Sequence, residues 1–412
     1  MQRTLSRLAS TVLALALLAT PATAAAPAKT AKTGPAQPVD FDLLAGLAAR
    51  SIGPAAMSGR IAAITAATSD PELVYVGTAS GGVWKSVNGG LTFDPVFDDQ
   101  PVASIGAVAL SPGNPDVVWV GTGEGNPRNS VSVGEGVFQS RDGGKTWRRL
   151  GLEKTEHIHR LLVDPRNPDV AWAGAMGQVW GENPERGVFK TTDGGRTWKK
   201  VLYVDERTGV ADLVMDPGNP DKLFAAMWDF RRWPWSLRSG GPGSGLYVTY
   251  DGGDSWKRLT EDDGLPKGDL GRIGIAVAPS DPRVVYALVE AKESALVRSD
   301  DGGRTWKTVN SDTDVNPRPF YYADLRVDPK DPNRIYRLAS SLAVSADGGK
   351  TFRNAGGGGR VHPDHHAMWI DPSNPDHIYE GNDGGVYISH DRGATWSFVA
   401  DLPVGQVYHV RV

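Results

Sequence analysis

An all-β fold, a β-propeller of about seven four-stranded blades, is what this sequence predicts, on three observations. The string Ser140-Arg141-Asp142-Gly143-Gly144-Lys145-Thr146-Trp147 returns at residues 191–198, 249–256, 299–306 and 389–396. Diverged copies ending in Phe lie at 86–93, with Asn88 in the Asp position, and at 345–352. Successive starts are 54, 51, 58, 50, 46 and 44 residues apart, the length of a propeller blade rather than of a helical or leucine-rich repeat. A turn with Pro and Asp or Asn precedes each copy, at Pro71, Pro115, Pro168, Pro220, Pro282, Pro332 and Pro375, and an alternating apolar run follows it. The 50 Gly, 29 Pro and 13 Trp agree with a chain made of strands and turns.

Each unit then reads as a first strand such as residues 105–110, the Pro turn, a second strand, a third strand such as 136–138, the box, and a fourth strand. The box is the hairpin between strands three and four. Its Asp accepts hydrogen bonds from turn amides, its two Gly supply positive φ, and its Trp covers the packing between sheets. These aspartates are therefore read as structural and not as catalytic carboxylates. Stacked sheets leave only short edges exposed, so the core holds without disulfides in a chain that has no cysteine.

The N-terminus has the three parts of a secretory signal peptide over residues 1–24: Arg3 and Arg7, an apolar run at 8–19, and Ala22-Thr23-Ala24. Residues 25–44, rich in Ala, Pro, Thr and Lys, read as a solvated spacer, and 45–403 as the propeller. Residues 404–412 resemble the first strand of a further blade or a closing strand, and a cut from a longer protein, even a second propeller, is the favoured expectation. A secreted or periplasmic location follows. No later run reaches the about 20 apolar residues of a membrane span. Without Arg3 and Arg7 the balance is 42 basic to 48 acidic residues, which argues against nucleic acid as the partner.

Taken in order, Gly53-Pro54, Gly59-Arg60-Ile61, Gly81-Gly82-Val83-Trp84-Lys85-Ser86, Gly121-Thr122-Gly123-Glu124 with Asn126-Pro127-Arg128-Asn129-Ser130, and the boxes resemble the bacterial sortilin-type propellers, also described as BNR-repeat or glycosyl-hydrolase-like. The resemblance implies an exported propeller. Eukaryotic sortilins bind peptides inside a larger propeller and carry a disulfide-rich module, which a cysteine-free chain cannot form. Sialidases share an Arg-Ile-Pro motif where this chain has Arg60-Ile61-Ala62, so sialidase activity is not expected. In two-propeller xyloglucan hydrolases a catalytic Asp precedes a Gly-Gly pair of the first blade; here Ala79 holds that place in Thr78-Ala79-Ser80-Gly81-Gly82, and their second acid comes from the other propeller.

Candidate chemistry collects where loops converge on one mouth of the channel. His362-Pro363-Asp364-His365-His366 lies just before an innermost strand. It reads as a divalent-metal site (His362, Asp364, His365, His366), as an acid/base pair of His366 with Asp364, or as imidazoles that pin the channel wall. No cofactor is required, and the metal is the alternative. Related positions hold His157, His159, Arg160, Asp212, Arg272 and Asp324, which together make a polar channel; Arg60, His159, Arg160, His365 and His366 are its ligand-binding candidates. The Gly-rich connection at 121–133 lacks the Lys-Ser/Thr ending of a phosphate loop, and its Glu124 is expected to pair with Arg128. An insertion in the longest repeat, Trp228-Asp229-Phe230-Arg231-Arg232-Trp233-Pro234-Trp235, reads as a loop. Its Trp228, Arg231, Trp233 and Trp235 could stack on sugars or peptide side chains, or the loop could fold over as a plug.

A scaffold without a matching catalytic set predicts an exported binding module for a peptide, protein or glycan. The alternative is a glycoside hydrolase, for which Glu124, Asp212, Asp324 and Asp364 are the candidate carboxylates and whose site needs a further C-terminal part.

Overall fold

A computed structural model describes residues 57–405. The expected signal peptide, the spacer, residues 45–56 and residues 406–412 lie outside the described residues. Within them the chain forms seven antiparallel sheets, each a contiguous stretch whose four strands run in sequence order from the channel outward. The innermost strands are Ile61–Ala67, Ile105–Ser111, Ile158–Asp164, Thr208–Asp216, Ile273–Val277, Asp324–Val327 and His365–Ile370, and they define blades 1 to 7. The innermost strands of blades 1 to 6 lie side by side in turn, that of blade 7 meets blade 6 at its second strand, Ile335–Leu338, and those of blades 7 and 1 meet to complete the ring. The fourth strands are only two to four residues long, which keeps exposed edges short. No helix among the described residues is long and apolar enough to cross a membrane.

The rim repeats one construction seven times. The Asp or Asn before each Pro (Asp70, Asn114, Asn167, Asn219, Asp281, Asp331, Asn374) accepts the amide two residues on, closing an Asx turn. The sixth residue counted from that Asx is aromatic in every blade: Tyr75, Trp119, Trp172, Phe224, Tyr286, Tyr336 and Tyr379, all fully buried. Each reaches the next blade. Tyr75 donates to the Gly143 carbonyl, Trp172 to Gly252, Tyr336 to Arg392 and Tyr379 across the ring joint to Pro71. Trp119 and Phe224 instead pack against Gly195 and Gly303, where a Cβ would collide with their rings.

The boxes behave as the sequence predicts. In blade 2, Asp142 accepts from the Thr146 amide (2.9 Å), the Thr146 hydroxyl (2.6 Å) and the Ser140 hydroxyl (2.7 Å), while Gly143 and Gly144 take φ of 70° and 90°. The first Gly amide donates to the blade's own Pro turn and the second to the Ser hydroxyl, so the hairpin is tied at both ends. Blade 7 departs from this pattern: Arg392 stands in the first Gly position at φ 58° and reaches Asp376 (3.2 Å) and the buried Asp328 (3.4 Å).

One expectation needs correction. The segment beginning at Trp228 is not a loop, because the second strand of blade 4 continues as Asn219–Trp233 and turns back as Ser236–Ser239. Trp228 is thus a core residue, fully buried and stacked on Phe230 at 4.4 Å. Blade 7 uses its own four strands; of the segment 404–412 read as a strand, Val404 and Gly405 are in none and the rest lies outside the described residues. Ser58 makes the joint: its amide donates to the Gly384 carbonyl (2.6 Å) and its hydroxyl lies within hydrogen-bond distance of the carbonyls of Leu402 (2.9 Å) and Val404 (2.8 Å).

Candidate functional site

Five inner strands carry a β-bulge near the start, at Ala62, Gly106, His159, Ala211 and His366. A bulge re-aims its extra residue. In three blades that residue is Ala or Gly; in blades 3 and 7 it is a histidine joined to a network across the channel. Gly125 leaves the room His159 needs, since a Cβ there would lie 2.0 Å from its ring nitrogen.

All seven blades supply this network. Arg60 pairs through one nitrogen with Glu124 (2.7 Å) and the Tyr321 hydroxyl, and through the other with Asp383 (2.7 Å). His366 lies between Asp383 (Nε2, 2.9 Å) and Asn126 (Nδ1, 3.0 Å), stacked on Tyr322 at 5.4 Å. Arg272 donates to Asn126 Oδ1 (3.2 Å) and His159 Nε2 (3.1 Å). Arg160 bridges Asp212 (2.7 Å) and Asp324.

The electrostatics follow from burial and partners. Burial above all, then Arg160 and Arg272, holds His159 well below the usual imidazole range. Burial pushes His157 down to about 4. For Asp324 and Asp383 burial acts upward, yet Arg160 in the first case and His366 with Arg60 in the second outweigh it, and both carboxyls sit below their ordinary values. Such carboxylates stay ionised and paired, the opposite of the raised pKa a glycosidase acid requires.

Several candidate residues are placed differently from the sequence reading. Glu124 pairs with Arg60 rather than Arg128. His366 pairs with Asp383 rather than Asp364, which stands half-buried in the left-handed region at φ 68°. The histidine cluster does not converge: adjacent strand residues point to opposite faces, so His365 turns to Glu380 (2.6 Å), His366 to the channel, and His362 Nδ1 lies near the Pro363 carbonyl (2.9 Å). Among the described residues no three His, Asp or Glu side chains form a metal-holding group. Of the four proposed carboxylates, Asp212 and Asp324 share Arg160, Glu124 lies on Arg60, and Asp364 joins none of them. Asn126 lies in the Gly-rich connection already singled out, whereas Tyr321, Tyr322 and Asp383 were missed; Asp383 was findable as the acid in the turn after the second strand of blade 7.

Above the network opens a cleft of about 400 Å³ at the meeting of blades 1 and 2, lined by Arg60, Ala79, Trp84, Glu124, Arg128 and Val404 among others. Among the described residues the half-buried Arg128 side chain has no hydrogen-bond or ion-pair partner. On the far side of the same loop, Asn129 meets the blade 4 hairpin through Arg232 (2.8 Å) and the Pro234 carbonyl (3.3 Å). Trp233 lies under Arg231 (4.8 Å), while Trp235 at the hairpin tip is 82 % exposed.

Comparison with known proteins agrees with this architecture. A model of the Sortilin-Vps10 family (sortilin, neurotensin receptor 3) matches residues 135–264, and one of the BNR/Asp-box repeat matches 387–398. A xyloglucanase of a Paenibacillus species is 26 % identical over 219 residues, 48 % of this chain but only 20 % of the relative. The GH74 xyloglucanase structure from Xanthomonas campestris superposes with a TM-score of 0.62 at 20 % identity, over 85 % of this chain and 55 % of the enzyme. This chain therefore spans about half of that structure. YCF48 bound to D1 peptide superposes with a TM-score of 0.53 at 15 % identity, over 82 % of this chain and 94 % of that one. Fold and sequence together make the chain a seven-bladed Asp-box β-propeller that is similar to the Sortilin-Vps10 family over residues 135–264, from blade 2 through blade 4.

Proposed function

We propose that this chain is an exported binding module that holds a peptide in the cleft over the blocked channel. The observation that carries the reading is Arg128, a half-buried cation without a partner among the described residues, in a cleft whose other charged groups, Arg60 and Glu124, are paired. A network of buried hydrogen bonds and ion pairs presets the cleft floor, and a preset surface loses less entropy on binding. The peptide bound to the YCF48 propeller supports this choice of ligand. Screening a peptide library against the folded chain is the test: bound sequences should lose at least tenfold in affinity with Arg128→Ala, and a screen that returns no binder, or binders indifferent to that change, overturns the proposal.

A glycoside hydrolase completed by a second part is the second reading, favoured by the half-length match to the GH74 enzyme. Release of reducing ends from xyloglucan by the full gene product, with none from this chain alone, would establish it. Ala79 in the cleft lining, where the first-blade acid is expected, counts against it.

A further inference from the structure

The cleft and the blade 4 hairpin share a wall. Residues 125–133 present Arg128, Ser130 and Ser132 to the cleft, while Asn129 between them is clasped by the hairpin. Val131 packs into the apolar cluster that contains Trp228 and Phe230. The hairpin is itself fixed: the Arg232 amide donates to the Val179 carbonyl (2.8 Å), Arg231 Nε to Trp180 (3.1 Å), and Arg238 to Asp229 (2.9 Å). Under its base Arg186 lies 4.3 Å from the Phe230 ring centre and donates to the carbonyls of Gln178, Gly181 and Arg207. An indole that is 82 % exposed on a support this rigid offers a large apolar face at little ordering cost, as interface anchors do.

We infer that Trp235 is part of the same recognition surface as Arg128, and that the ligand is an extended peptide that gives a carboxylate to Arg128 and an apolar side chain to Trp235. This rests on the peptide reading above. The reach required follows from the contact path. Arg128 precedes Asn129, Asn129 meets the Pro234 carbonyl at 3.3 Å, and Pro234 precedes Trp235. With ordinary backbone and side-chain dimensions, the two Cα atoms lie at most about 17 Å apart, so roughly five extended residues are enough to join them. An octapeptide seated at Arg128 covers the whole path to the indole.

Fluorescence anisotropy with two labelled synthetic pools tests the inference: tripeptides containing one Glu, and octapeptides with Glu and Leu or Phe five positions apart. Octapeptides should bind at least tenfold more tightly than tripeptides. Trp235→Ala should remove that gain, Trp235→Phe should keep most of it, and Arg128→Ala should weaken both pools. Octapeptides that bind no better than tripeptides, or whose advantage survives Trp235→Ala, overturn the extension and leave the cleft reading standing. Failure of both pools overturns both readings, and binding of xyloglucan oligosaccharides alone, with loss in Trp235→Ala, assigns the indole to a sugar instead. Because Trp235 is on the surface, unchanged melting of its variants separates a binding defect from misfolding.

Discussion

Rim and channel are built from the same seven units and use them in opposite ways. On the rim every blade repeats the Asx turn, the buried aromatic and the tied hairpin, down to the hydrogen bond from the second box Gly, or its equivalent, to the Ser or Thr hydroxyl. In the channel equivalent places differ from blade to blade: bulge positions that are Ala or Gly in three blades are histidines in two, and the residue before the opening Ile of the inner strand is Arg60, Ser104, His157 and Arg272 in blades 1, 2, 3 and 5. Chemistry kept identical around a ring serves the ring. Chemistry that differs at equivalent places is where a function is to be sought.

Breaking the channel network should cost most. Arg160→Ala strands Asp212 and Asp324 in a buried site, and loss of one partner from such a set costs about 3–5 kcal/mol; chemical denaturation should show it. If the loss is below about 1 kcal/mol, the network is not the rigid floor described here.

Acid should separate the two regions next. His157 is held at about 4, below its unfolded value, so the unfolded chain binds more protons between about pH 6.5 and 4 and stability falls across that window as pH drops. The box carboxyls Asp142, Asp193 and Asp347 are pulled down to about 2, chiefly by Thr hydroxyl and amide hydrogen bonds. Their stabilisation is complete above about pH 4 and disappears only between there and about pH 2. Melting temperature against pH should therefore fall in two stages, and His157→Gln should make the first, to which His159 also contributes, shallower while leaving the second unchanged. A single stage confined to below pH 4 would show that the buried imidazole is not held neutral.

A single box substitution is smaller. Asp193→Ala removes acceptors for the Thr197 amide and hydroxyl and for Thr191, and should lower the melting temperature by less than Arg160→Ala does. Asp193→Asn should recover part of the loss, since Asn88 already does this work in blade 1. Smallest is Trp235→Ala, which should alter unfolding by no more than about 0.5 kcal/mol; a larger loss would make the exposed indole part of the scaffold.

The same contrast explains what was legible in the sequence. A box is closed by bonds between residues two and four apart, so seven copies and their structural aspartates could be read directly. Channel partners are remote: Arg60 and Asp383 are separated by 323 residues, Arg272 and Asn126 by 146. Sequence proximity suggested Glu124 with Arg128 and Asp364 with His366. Backbone geometry decided otherwise, through a left-handed turn at Asp364 and a bulge that swings His366 toward Asp383. Trp228 was misread because Trp, Arg and Pro together resemble an irregular insertion, whereas pairing with the inner strand through Asp229 and with the returning strand Ser236–Ser239 from Phe230 on carries blade 4 through it.

The joint made by Ser58 has a kinetic meaning. It connects positions 344 residues apart, while every blade can form from a stretch of its own. Circularisation must then come last in folding, after the chain has surrendered most of its freedom, and contacts so distant in sequence form slowly. Among the described residues blades 7 and 1 share no strand, and the circle is latched by Ser58, the Tyr379–Pro71 hydrogen bond, the Arg60–Asp383 ion pair and side-chain packing, which makes that seam the expected place for the molecule to open first under heat or force.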